Sequence, residues 1–301
     1  MCADQVDLAV LGGFGVDTVV HLPALPPPLA DSIQVPPIRD HPGQTGAGIA
    51  LGTRALGASV ACTDLIGADP QGESIRQLLA GCDFRPVLHS AGTRRAVNLM
   101  SPDGARISCF DARQPPEATL PEEVWGPLVA RAGRVHACIS GWVRHAVPAF
   151  ASYGRPLSTD LHDWDGENPY HVPFAESAEL VFLSAARLGG RWDAALRAIL
   201  DRGRARAVIA TDGAAGAWLA ERGAVGIVHV PAAPLPGPAV DSNGAGDAFA
   251  CGMLHALDGG AALRDAVVAG TVAGAFACTV AGAAGGFIDA PGLAAGVAAL
   301  S

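Results

Sequence analysis

The chain contains no lysine: all 20 of its basic residues are arginine. That absence removes whole mechanisms. A P-loop lysine, the ATP lysine of protein kinases and a Schiff-base lysine all require an amine at one position. GC-rich codon usage accounts for the absence, and the exclusion stands regardless of cause. Aromatic residues make up only 5% of the chain, too few for the stacking platforms that hold single-stranded nucleic acid. A formal net charge of −9 leaves no general basic face, so no nucleic-acid partner is expected. The seven cysteines (Cys2, Cys62, Cys82, Cys109, Cys138, Cys251 and Cys278) are scattered and never form C-x-x-C. They read as free thiols of a reducing compartment. Residues Met1 to Asp7 carry no basic stretch of a signal peptide. The longest apolar stretch, 261–287, is broken by Arg264, Asp265 and many glycines, so it reads as buried helix and loop and not as a membrane span. A cytoplasmic protein without a membrane partner is the expectation. Gly13-Phe14-Gly15 is no dinucleotide fingerprint, because Thr18 stands at the third glycine position, and neither G-x-S-x-G nor H-E-x-x-H occurs.

What is present is a large apolar inventory, 50% of 301 residues, ample for one elaborated domain spanning 1–301. Short apolar runs recur: Val6–Leu11, Ser59–Thr63, Val135–Ile139, Pro156–Asp160, Leu180–Leu183, Ala207–Ala210 and Gly226–Val230. Helical patterns separate several of them, among them Thr45 to Gly57, Gly72 to Leu79, Asp193–Arg202 and Asp247–Leu257. Strands alternating with helices predict an α/β fold with a mostly parallel sheet covered on both faces. Two stretches break the rhythm. Phe14–Leu22 alternates loosely, and Arg94–Met100, a Ser-Pro-Asp-Gly turn at 101–104, and Ala105–Phe110 read as a hairpin. These predict a small β-sheet on one edge, formed by about 14–40 and 90–112. Ligands of open α/β sheets bind beyond the carboxyl ends of the strands. Gly12–Asp17, Ser140-Gly141, Asp160, Thr211–Gly216 and Asp241–Asp247 are therefore expected to converge.

The strongest local signal is Asp241-Ser242-Asn243-Gly244-Ala245-Gly246-Asp247-Ala248-Phe249. Gly244 and Gly246 let backbone close on an anion, and the helix that follows adds its dipole. Asp247, at the end of the loop, can take a proton from a hydroxyl beside that anion. A cradle and a base are the minimum for moving a phosphoryl group onto an alcohol. The bland reading, an Asx-capped loop before a helix, is weaker here. Thr211-Asp212-Gly213-Ala214-Ala215-Gly216 is a second strand, glycine turn and small residues, a pattern that many ordinary turns share. Asp17 can accept two hydrogen bonds from neighbouring sugar hydroxyls, although alone it reads as a solvated loop carboxylate. Gly43-Gln44-Thr45-Gly46-Ala47-Gly48 opens a helix against either a ligand or the sheet. His162-Asp163, with Asp160 and Asp165, reads as a polar loop before it reads as a metal site.

With these residues in place, the chain resembles the PfkB (ribokinase-like) family of carbohydrate and nucleoside kinases. The Asp241–Phe249 segment is similar to that family's C-terminal signature. Leu11–Asp17 resembles its first strand with the substrate aspartate, Leu65–Gly72 its Gly-x-Asp-x-x-Gly segment, and Thr211–Gly216 its T-x-G-x-x-G nucleotide loop. The resemblance implies a three-layer α/β/α sandwich with a small β lid, ATP with Mg2+, and a sugar or nucleoside as acceptor. It implies Asp247 as the base and Gly244, Ala245 and Gly246 as the anion hole. Asp17, Gly43, Gln44 and Gly48 would bind the acceptor. Thr211, Gly213, Gly216, Asn243 and Ala273 would line the nucleotide, with 273–283 closing its adenine side. A K+ beside Asp241 and a homodimer through the lid also follow from it. The likeness departs in two places. The asparagine of the N-terminal signature is absent, with Gln44 beside Gly43 in its register. The family's N-x-x-E segment, which organises Mg2+, matches Ser184-Ala185-Ala186-Arg187, leaving Asp160 and Asp163 as nearby carboxylates. An adenosine-type nucleoside kinase, or a weakly active binding or regulatory protein on this scaffold, are the alternative readings.

Overall fold

A computed structural model describes residues 5–102, 106–282 and 284–300. In chain order, β1 (Val6–Leu11) is followed by β2 (Gly15–His21), β3 (Arg39–Gly43), α1 (Thr45–Ala55), β4 (Val60–Thr63), β5 (Leu65–Ile66), α2 (Pro70–Leu78), β6 (Asp83–Phe84), β7 (Val87–Leu88), β8 (Arg95–Met100) and β9 (Arg106–Asp111). Then come α3 (Glu122–Arg131), β10 (Ala132–Cys138), α4 (Gly141–Phe150), β11 (Leu157–Asp160), α5 (Val172–Ser177), β12 (Leu180–Ser184), α6 (Trp192–Arg202), β13 (Ala207–Thr211), β14 (Ala217–Glu221) and β15 (Ile227–Val230). The chain closes with α7 (Ala245–Asp258), α8 (Leu263–Ala277) and α9 (Ala290–Ala298).

Nine strands form the central sheet in the order β15-β14-β13-β12-β11-β10-β1-β4-β6. It is parallel from β6 through β13, and β14 and β15 run antiparallel at one edge. The strands read as apolar runs because both faces are covered. In β1 the period of two divides the side chains: Leu8 and Val10 join the core beneath α1, α2, α7, α8 and α9, while Ala9 and Leu11 join the core beneath α3, α4, α5 and α6. This is the α/β/α sandwich with a mostly parallel sheet that the sequence predicted. Arg134 of β10 donates to Asp258 at the end of α7 (2.6 Å), which fixes that helix against the sheet.

A second sheet, β3-β2-β8-β9, stands apart from the first. Residues 103–105, which hold the Asp-Gly half of the Ser-Pro-Asp-Gly turn expected at 101–104 and the first residue of its second arm, lie outside the described residues. The root of this sheet is tied down by a fully buried carboxylate. Asp64 accepts from Arg94 Nη2 (3.0 Å), the Phe14 amide (3.0 Å), the Leu65 amide (2.8 Å) and Trp142 Nε1 (2.7 Å). Four donors on one buried carboxylate satisfy it and fix the angle at which β2 and β8 leave the core. Asp69 of the Gly-x-Asp-x-x-Gly segment has a similar duty. It caps α2 through the Gly72 amide (2.8 Å) and accepts the Thr93 amide (2.8 Å) and hydroxyl (2.7 Å).

Candidate functional site

The carboxyl ends of β1, β10, β11, β12 and β13 lie in a row, the crevice where open α/β sheets hold ligands. Over this row, α7 begins at Ala245. Gly244 takes φ +83 as its N-cap, a left-handed backbone suited to glycine. The first amides of a helix have no carbonyl one turn back. Gly246 borders open space: a Cβ there would meet nothing within 4 Å. The loop ahead is closed by Asp241, whose Oδ1 accepts the Asn243 amide (2.9 Å) and whose Oδ2 accepts the Gly282 amide (3.0 Å). Both oxygens of the residue expected beside a monovalent cation are thus engaged in shaping the loop.

Asp247 stands in the first turn of α7 against the start of α1. A Cβ on Gly48 would collide with its carboxylate, so only glycine at 48 leaves the carboxylate its place. Burial pushes the Asp247 carboxyl well above the usual carboxylate range, and the charges of Asp160 and Asp17 push the same way. A carboxyl raised by burial and like charge is the environment expected of a general base. Asp17, on β2, is also raised by burial, with the Gln44 amide, Arg106 and His41 drawing it back. Gln44 Nε2 donates to Asp17 Oδ1 (3.2 Å). Gln44 holds φ +65 at the N-cap of α1, an uncommon backbone for a residue with a Cβ. The structure therefore brings Gly48 against Asp247, with Gln44 beside Gly43 holding Asp17, whose charge reaches Asp247, and with Asn243 to Gly246 directly ahead of it in the chain.

Three contacts here were not legible in the sequence. His162, placed in a polar loop by sequence, also has a left-handed backbone (φ +53), and its Nε2 lies 3.3 Å from Thr45 Oγ1. Asp160 Oδ1 accepts the His162 amide (2.8 Å). Arg106 Nη1 donates to Asn243 Oδ1 (3.4 Å), joining β9 to the α7 loop across 137 positions. Their one available signal was position, two just past the carboxyl end of a strand and one at the start of a hairpin arm.

The nucleotide-side candidates divide. Thr211 ends β13, and the turn after it closes when the Asp212 amide donates to Gly216 O (2.8 Å). Gly216 has φ +103, and a Cβ there would strike the backbone of residues 230–232. Gly213 borders open space. Ala273 is buried in α8 against Gly252 of α7, so its methyl serves helix packing. At the N-x-x-E position, Ser184 Oγ accepts the Ala186 amide (3.2 Å) and Arg187 pairs with Asp163 (3.3 Å). Among the described residues no three carboxylate, histidine or cysteine side chains gather as a metal site.

Comparison with known proteins gives one direction. The family model described as "pfkB family carbohydrate kinase" matches residues 171–290. An acarbose 7(IV)-phosphotransferase of Actinoplanes sp. is 41% identical over 95% of this chain and 97% of its own. A solved microbiome-derived acarbose kinase, Mak1, superposes with TM-score 0.90 at 40% identity, covering 98% of this chain and 99% of that one. The fold extends to Arabidopsis thaliana ribokinase, solved with ribose and ATP, at TM-score 0.80 and 19% identity over 97% of this chain and 99% of that one.

Proposed function

The chain belongs to the pfkB family of carbohydrate kinases and is an ATP-dependent kinase of a sugar hydroxyl, and from that premise we propose that its acceptor is acarbose or a closely related oligosaccharide. The observation that carries the reading is the Asp247 carboxylate, raised by burial, set over Gly48 in the first turn of α7 and flanked by Asp17. Asp247 takes the proton of the attacking hydroxyl, and the freed oxygen pair forms the new bond to phosphorus. ATP supplies the phosphoryl group, and its bond to the bridging β-phosphate oxygen breaks with the electrons leaving on ADP. The amides of Gly244 and Gly246 face the charge that collects on the moving group, with the Ala245 amide, which donates to Ser242 O (3.2 Å) here, joining them when that turn opens. Asp17, oriented by Gln44, holds acceptor hydroxyls. Mg2+ keeps much of its water and takes few carboxylates beside phosphates, so the site would need no protein cage, and Asp160, at the carboxyl end of β11, would be the carboxylate to hold it.

The lid supports an acceptor larger than one ring. Paired residues of a sheet share a face, so the register puts His41, Asp17, Ala96 and Phe110 in one row. Phe110 is 61% exposed on that face. Two strand spacings separate it from Asp17, roughly 10 Å, more than a monosaccharide spans. An ADP-release assay across acarbose, ribose, fructose and a nucleoside tests the assignment. Acarbose should be the best acceptor, and Asp247→Asn should lower its turnover by about 100-fold or more. Faster turnover of ribose or the nucleoside would refute the acceptor, and an undiminished Asp247→Asn enzyme would refute the base.

A further inference from the structure

We propose that Arg106 of the lid is a catalytic residue that reaches across the cleft and binds the phosphoryl group in transfer. This rests on the kinase reading above but not on the choice of acceptor. Arg106 opens β9 in the row His21, Met100 and Arg106, on the same sheet face as Asp17. From there it reaches Asn243 Oδ1 at 3.4 Å, next to the Gly244–Gly246 amides, and its charge is felt at the Asp17 carboxylate. One side chain thus spans the nucleotide-side loop and the acceptor-side aspartate, the path the phosphoryl group must travel.

The chemistry of the contact argues that Asn243 is a resting partner. A guanidinium offers five donors in a planar fork suited to phosphate oxygens. Among the described residues, its 3.4 Å contact to a neutral amide oxygen uses one of them weakly. The charge balance points the same way. The charges of Asp160 and Asp17 both act on Asp247, and a phosphoryl group entering beside these carboxylates needs a cation. The chain has no lysine to supply one. The arginine at the N-x-x-E position is paired with Asp163. In the transition state, charge spreads over the equatorial oxygens of the moving group, where a guanidinium from outside the loop acts most strongly.

Calorimetry and steady-state kinetics on the full chain decide the matter, using wild type, Arg106→Ala and Arg106→Lys. The probes are the Mg2+ complexes of ADP and of a non-hydrolysable ATP analogue carrying the γ-phosphate. Arg106→Ala should weaken the analogue about tenfold while ADP stays within about twofold, since only the former presents the recognised group. With acarbose, kcat should fall about 10²- to 10³-fold, as when one transition-state donor is lost, with acceptor KM little changed. Arg106→Lys should fall between, and added guanidinium should restore part of the Arg106→Ala rate. Equal weakening of both nucleotides, no weakening of either, or a loss lodged in acceptor KM would overturn the proposal. Arg106 is exposed, so unaltered thermal melts are expected of both variants. If wild type releases no ADP with acarbose, the acceptor assignment fails, and the nucleotide titrations still decide Arg106.

Discussion

At the scale of single residues the site is a contest over one proton. As the proposed base, Asp247 can act only when ionised, and burial together with Asp160 and Asp17 opposes ionisation. Its carboxyl is therefore protonated at pH values where an exposed aspartate is not, and activity must rise as pH climbs through the raised pKa. Removing one like charge moves that limb in a known direction. Asp160→Asn should shift the acid limb of kcat/KM to lower pH, because the Asp247 carboxylate then ionises more easily. Parallel pH profiles of the two enzymes check this, and an unmoved limb would show that Asp160 does not govern the base. Asp247 and its glycines were legible in the sequence because their chemistry is contiguous over nine positions. Arg106 and His162 were not. Each meets its partner across more than a hundred residues, Asn243 and Thr45 respectively, and no local pattern encodes such a meeting.

At the scale of elements, apolar runs betrayed most strands of the parallel sheet and the edge strand β15, and alternation and a turn betrayed the lid strands β2, β8 and β9, while β3 and β14 hid. β3 reads Arg-Asp-His-Pro-Gly and has no apolar alternation to find, yet it pairs with β2 from Gly15↔Gly43 to Val19↔Arg39 through its backbone. α3 and α4 carry Pro127 and Pro148 inside their helical spans, which broke the pattern there. The Thr211–Gly216 turn was legible as glycine-rich, but its reason was not. Gly216 lets the start of β14 pass under the backbone of residues 230–232, and it does so at φ +103. Gly216→Ala adds both a collision and a left-handed strain. It should cost about 2–4 kcal/mol of stability, combining the backbone penalty with local displacement. If the turn lines the nucleotide, as proposed, the substitution should also weaken ATP more than the sugar acceptor. Denaturant unfolding and two ligand titrations measure this; a variant as stable as wild type would mean the crossing is easily relieved.

At the scale of the whole molecule, stability is coupled to pH through the centre of the sheet. His136 sits on β10, fully buried, with Nδ1 3.0 Å from Ser158 Oγ and Nε2 without a hydrogen-bond partner among the described residues. Burial lowers its pKa from 6.5 to about 4, so the fold holds the ring neutral. The unfolded chain takes up that proton as pH falls below 6.5, and the folded chain does not until near 4. Stability from this group is therefore complete above pH 6.5, declines as pH drops, and is exhausted near pH 4. The full decline amounts to about 3 kcal/mol, of which about 2 kcal/mol falls between pH 7 and 5. His171, half-buried and lowered by the same cause, adds to the decline in the same direction. Asp7, Asp69 and Asp83 are held below the usual carboxylate range, so they stay ionised through this window, whereas Asp247 and Asp17, raised by burial, take up protons in the fold as pH falls and oppose the histidines. Urea unfolding at pH 7 and pH 5 measures the loss that His136 adds on top of those opposing carboxyls, read as the difference between wild type and variant. His136→Gln, which keeps a neutral side chain of similar reach, should flatten most of it while lowering stability at pH 7. Equal losses in the two proteins would place the pH sensitivity elsewhere in the molecule.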